Sequence, residues 1–159
     1  MNLSDFAGRE PRLLPERFFA AELRGWGLEV GPLGGIGRRL QVTATGRFDE
    51  ATQTLSLSET YRFDDGHVDR LDWRIRKLAD GRYEAEEPRL IEPGAGEAAG
   101  SAFQLTYRRA VPQSDGSAAT LSFDDWFIQI DAETVMVRAS VHKLLVPVGS
   151  MTVLYRRGA

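Results

Sequence analysis

Cysteine is absent from the 159 residues, which excludes a disulfide scaffold, a thiol nucleophile, a thiolate zinc site and an acylated lipoprotein anchor within this chain. Histidine occurs only at His67 and His142. Neither is flanked by an HExxH or comparable spacing, so no metal and no other cofactor is expected. Long apolar runs are also missing, since no stretch approaches the roughly 18 residues needed for a membrane span. The opening Met1-Asn2-Leu3-Ser4-Asp5-Phe6 has neither the basic leader nor the apolar run of a signal peptide. The expectation is a cytoplasmic protein with no membrane anchor on this chain. Positive charge is not in excess either: 20 basic residues face 23 acidic ones, a net charge of -3. Nearly every arginine has an acid within a few positions, so no basic face is available to neutralise phosphates and no nucleic-acid partner is expected. Neither Ser101 nor Ser150 stands in a Gly-x-Ser-x-Gly elbow.

What the chain does have is alternation. The length suits one domain at roughly 100 to 150 residues per domain, spanning residues 1–159 with 1–13 as an irregular N-terminal arm. Leu40, Val42 and Ala44 alternate with polar neighbours, the pattern of a strand with one buried face. From Thr54 to Phe63 the alternation places Leu55, Leu57, Glu59, Tyr61 and Phe63 on one face, so Glu59 falls on the apolar side. Asp64-Asp65-Gly66 is a reversal, and Leu71, Trp73 and Ile75 resume the period beyond it. Tyr83 opens a weaker segment before Pro88. Phe103, Leu105 and Tyr107 form another strand, as do Val135, Val137, Ala139 and Val141, and Met151, Val153 and Tyr155 close the series. Between Phe123 and Trp126 the apolar phase flips, which suggests a β-bulge at Asp124-Asp125.

A short helix is expected from Pro15, with Phe18, Phe19 and Leu23 at one-turn spacing and Gly25 as its stop. The glycine-rich stretches 25–37 and 94–100 read as flexible loops or strand kinks. Neither is a phosphate loop, because neither has the Lys-Ser/Thr ending. The sum is an all-β chain of about eight antiparallel strands with a short N-terminal helix. An up-and-down β-barrel is favoured, because closure removes exposed edges, and an open sandwich is second.

Phe18-Phe19, Gly25-Trp26-Gly27, Arg38-Arg39, Leu55 to Glu59, Tyr61, Asp65-Gly66, Trp73, Gly96 to Gly100 and Phe123-Asp124-Asp125-Trp126 occur in an order that resembles an uncharacterised proteobacterial domain-of-unknown-function family. Many of its members are described as lipoproteins. The resemblance runs from about Leu14 to Arg157 and implies a calycin-like barrel, similar to lipocalins and fatty-acid-binding proteins, with no established activity. Two positions depart from it: Ser101 and Val137 stand where the family usually has asparagine, and Asn2 is the only asparagine present. The resemblance also implies that Trp26 plugs one end of the barrel, under Arg156 or Arg157 from the last strand.

Glu59 is the most informative candidate. A carboxylate on a buried strand face costs several kcal/mol unless it is satisfied, and Arg38, Arg39, Arg70 and Arg74 are the nearest candidate partners in sequence. Glu59 then reads either as a structural ion pair, which is favoured, or as a polar anchor in a ligand cavity. Asp124 and Asp125 point to opposite faces of a strand unless a bulge re-aims one. The leading functional expectation is a barrel that binds a lipophilic or amphipathic small molecule, its cavity formed by Glu59, Tyr61, Trp73, Arg74, Phe103, Tyr107 and Asp125. Two alternatives stay open: an enzyme with Glu59 or the Asp124/Asp125 pair as general acid or base, and a packed structural barrel with no ligand.

Overall fold

The structure, a computed structural model, describes residues 1–158. Ten antiparallel strands run in chain order around one closed barrel: β1 (Glu22–Val30), β2 (Ile36–Asp49), β3 (Thr54–Phe63), β4 (Val68–Ala79), β5 (Arg82–Glu86), β6 (Gly94–Ala99), β7 (Ala102–Pro112), β8 (Ala118–Asp131), β9 (Thr134–Lys143) and β10 (Val146–Arg157). Each strand pairs with the next, and β1 closes the ring against β10, with Gly25 opposite Tyr155. The up-and-down barrel read from the sequence is therefore present, with ten strands in place of about eight. Among the described residues, closure leaves no edge strand to template aggregation.

The two extra strands are the ones richest in glycine. The sequence pattern ends a helix at Gly25 and makes the stretches 25–37 and 94–100 flexible loops or strand kinks, because glycine weakens a strand in isolation. In the barrel wall the missing side chains make room for neighbours. A Cβ at Gly27 would stand 2.5 Å from the Thr152 carbonyl oxygen, and one at Gly96 would stand 2.8 Å from the Phe103 ring. Gly96 thus lets Phe103 lie across β6 and meet Tyr83 edge-on at 5.3 Å. Tertiary packing overrides local propensity at both strands.

Helical structure shrinks to single turns, a 3-10 turn at Leu3–Phe6 and one α-helical turn, α1, at Pro15–Phe18. Gly25 is not a helix stop but lies inside β1. The turn and the residue after it close one end of the barrel. Phe18 and Phe19 are buried, and Phe19 packs edge-on against Phe127 and Tyr155 at 5.7 and 5.8 Å. The chain crosses β2 at Gly46, where a Cβ would fall 1.7 Å from the Phe19 carbonyl oxygen. Glu16 pins the turn by accepting from Lys77 Nζ at 3.0 Å and from the Tyr83 hydroxyl at 2.7 Å. Trp26 does not plug this end. It faces outward and is 43% exposed, while the Arg157 guanidinium lies 5.8 Å from the Phe18 ring, so Phe18 holds the capping place expected of Trp26.

No bulge occurs at Asp124-Asp125. The register is unbroken there, with Asp125 opposite Leu105 on β7 and Ala139 on β9, and the β8–β9 shift comes later, between Gln129 and Asp131. The phase flip has another cause. Leu121, Phe123, Asp125 and Phe127 keep to the inner face, while Trp126 is on the outer face and is covered by the N-terminal arm, its ring 6.1 Å from that of Phe6. The arm buries a stretch of outer wall, so both faces of β8 carry apolar residues. Among the described residues no helix is long and apolar enough to cross a membrane.

Candidate functional site

Alternation along β3 and β4 carries Glu59 and Trp73 to the inner face, and both are buried. None of the four arginines suggested by the sequence reaches Glu59. Arg38 is engaged at the rim by Glu29 and Asp65, Arg39 pairs with Asp64, and Arg70 and Arg74 are exposed on the outer face of β4. The favoured ion-pair reading of Glu59 is thus overturned: its oxygens are held by neutral donors. Trp73 Nε1 donates to Oε1 at 3.0 Å and the Tyr155 hydroxyl donates to Oε2. With its proton directed to Glu59, Tyr155 accepts from the Tyr61 hydroxyl at 3.1 Å. Burial dominates these hydrogen bonds and pushes the Glu59 carboxyl up to about 7.

Asp125 reaches the same interior from β8. It is 7% exposed, and its Oδ2 accepts from the Tyr107 hydroxyl at 2.8 Å. Its Oδ1 is buried with no hydrogen-bond partner among the described residues, a condition that costs free energy unless something pairs with it. Burial and then the nearby Glu59 charge push Asp125 up to about 7 as well. Burial together with the adjacent carboxylates holds the Tyr61, Tyr107 and Tyr155 hydroxyls well above their usual range, so these three remain neutral donors. Asp124 faces the other way and accepts from Gln104 Nε2 at 2.8 Å, so the two aspartates do not act as a pair. Glu59 and Asp125 border an inner chamber of about 40 Å³ together with Tyr61, Trp73, Tyr107 and Tyr155.

The chamber lies beneath a larger cavity at the open end, of about 440 Å³, and the two share Tyr61, Tyr107 and Met151 as a common boundary. The upper walls are aromatic, with Tyr107 stacked on Phe123 at 4.8 Å and Tyr61 on Phe63 at 6.4 Å. Arg38 closes over Phe63, its guanidinium carbon 3.8 Å from the ring centroid, while donating to Glu29 at 2.7 and 3.2 Å. Gly31 and Gly37 of the first glycine cluster line this mouth. The second cluster does not: β6 runs down to the turn at Gly100, under the arm at the closed end.

A separate polar cluster sits one layer nearer the mouth. Arg109 is 2% exposed and donates from Nε to Glu87 at 2.7 Å and from Nη1 and Nη2 to Asp69 at 2.7 and 3.1 Å, with a further contact to the Arg70 carbonyl at 3.3 Å. This buried ion pair was not anticipated, although parity marks it: Arg109 falls in step with Phe103, Leu105 and Tyr107, and Asp69 with Leu71 and Trp73.

Of the seven candidates, Glu59, Tyr61, Trp73, Phe103, Tyr107 and Asp125 all border the inner chamber. Arg74 does not; it stands on the outer wall opposite Ser56 and Glu86. Tyr155 was missed as a site residue, though its step from Val153 already placed it inside. Among the described residues no group of three or more histidine, cysteine, aspartate or glutamate side chains could hold a metal ion. A carboxyl poised near 7 in a chamber can bind a donor group or exchange a proton at neutral pH. Residues 1–157 match the family model DUF3833, described as a protein of unknown function. No curated protein matches the chain.

Proposed function

The chain belongs to this family of unknown function, and from that premise we propose that its barrel binds a lipophilic or amphipathic small molecule through the open end, as the calycin-like reading of the sequence expects. The observation that carries this is the stacked pair of spaces. An aromatic cavity of about 440 Å³ lies within the range of small-molecule sites and leads to a small chamber with convergent polar groups. The closed end supports the same reading, because α1 and Phe19 seal the barrel there and leave one entrance. Around that entrance the tips of the β1–β2 and β9–β10 hairpins expose Leu33, Ile36, Leu144 and Leu145, an apolar rim suited to handing over an apolar ligand. An acid–base enzyme that uses Glu59 and Asp125 is the second reading, favoured by two carboxyls near neutrality.

Titration with N-phenyl-1-naphthylamine, an uncharged apolar fluorophore, tests the binding reading. Saturable fluorescence enhancement is expected with one dye per barrel. It is expected to disappear in Leu121→Trp, which fills the mouth beside Phe123 while leaving thermal stability unchanged. A wild-type protein that gives no saturable enhancement contradicts the reading and favours a packed barrel.

A further inference from the structure

We propose that the inner chamber takes the ammonium group of a primary-amine amphiphile, seated on Asp125 Oδ1, with the apolar tail in the aromatic mouth. This rests on the binding reading above and names the ligand's chemical class. Three observations converge on it.

The first is the unpartnered oxygen. Asp125 borders the chamber, its Oδ1 is buried, and no side chain or backbone donor among the described residues meets that oxygen. The partner it lacks is a hydrogen-bond donor, and a ligand that brings one removes the cost of an unpaired buried acceptor.

The second is the charge balance. From β3 the chamber is faced by Glu59 and Tyr61, from β4 by Trp73, from β7 by Tyr107 and from β10 by Tyr155, while β9 contributes only Val137 and Ala139. No cation lies among them. The nearest, Arg109, is held by two acids, and Arg38 at the rim is likewise held between Glu29 and Asp65. Both arginines along the cavity are matched by two carboxylates, and the two carboxyls below form no ion pair, Arg109 acting on Glu59 only at a distance. A fatty-acid carboxylate would meet this surface with the wrong sign, whereas a cation is drawn in.

The third is size and wall chemistry. A chamber of about 40 Å³ holds a group the size of one water, which an ammonium also is. The ring faces around it and above it offer cation–π contact to such a head and apolar contact to a chain. Met151 on the shared boundary is unbranched and can give way to a tail that passes through.

Calorimetric titration of the full chain with octylamine, octanol and octanoate separates the possibilities. At about pH 8, octylamine is expected to bind at least about ten-fold more tightly than either of the others. Asp125→Asn is expected to bring octylamine to within about three-fold of octanol, with a cooperative thermal melt as the measure of an intact barrel. Acidification to about pH 6 protonates Glu59 and Asp125 and is expected to weaken octylamine by more than it weakens octanol. Octanol or octanoate binding as tightly as octylamine overturns the amine assignment and leaves the cavity reading standing. Full octylamine affinity in Asp125→Asn does the same. Failure of all three probes overturns the amine assignment, and if the fluorophore also fails, the cavity reading falls with it. Should Asp125→Asn not fold, the wild-type protein carries the test through pH, and octylamine affinity unchanged between about pH 8 and about pH 6 overturns the assignment.

Discussion

Four carboxylates are buried to similar depth in this barrel, yet they form two different kinds of site. Asp69 and Glu87 clasp Arg109, whose guanidinium makes hydrogen bonds to both acids and to the Arg70 carbonyl. Glu59 and Asp125, one layer deeper, have only tyrosine and tryptophan donors. The first arrangement is closed, with the charges matched and the guanidinium committed. The second is open, with one oxygen unpaired, both carboxyls raised to about 7 and a chamber beside them. Burial of acid groups is thus not itself the sign of a site. What distinguishes the deeper pair is the missing cation.

The largest expected effect comes from breaking the matched cluster. Arg109→Met leaves Asp69 and Glu87 buried and uncompensated, and chemical denaturation is expected to show a loss of about 3–5 kcal/mol. Replacing Arg109, Asp69 and Glu87 together with apolar residues of similar volume is expected to recover most of that loss, because no charge is then left unpaired. A triple variant as unstable as Arg109→Met would show that the cluster does more than balance its own charges.

A smaller effect with the opposite sign is expected at the unmatched pair. Glu59 and Asp125 bind their protons more tightly in the folded state than in the unfolded chain, whose carboxyls keep values near 4.5 and 3.8. Their contribution to stability is therefore complete below the unfolded values and is lost as pH rises through about 7. Asp125→Asn removes one of the two charges, so it is expected to be more stabilising at about pH 8 than at about pH 5, by roughly 2 kcal/mol. Thermal melts across that range check it, and a stabilisation independent of pH would erase the contrast between the two clusters.

Much of this was legible in the sequence, and the misses have physical causes. Strict period two places Glu59, Tyr61, Trp73, Phe103 and Tyr107 inside, since a strand gives only two faces, whereas the apolar phase flip at Asp124-Asp125 leaves the face of Asp125 open. The same rule excludes Arg74, which is one step from Trp73 and therefore on the other wall; sequence proximity to Glu59 suggested it and parity forbids it. Arg109 lies two residues beyond Tyr107 and shares its face, but a charged residue adds nothing to the apolar pattern that marks that face. The glycines of β1 and β6 hid two strands, because their role is to make room for Val153 and Phe103, partners far away in sequence. The Trp126 phase reflects the arm that lies over it, a second layer that strand periodicity does not encode.

The most direct measurement is a carbon-13 NMR titration of the Glu59 and Asp125 carboxyls, with and without saturating octylamine. Midpoints at about 7 are expected in the free protein, and a shift of the Asp125 midpoint to lower pH is expected with the amine bound, because a nearby cation favours the charged form. Midpoints in the ordinary carboxylate range, or an Asp125 signal indifferent to the amine, would contradict the account.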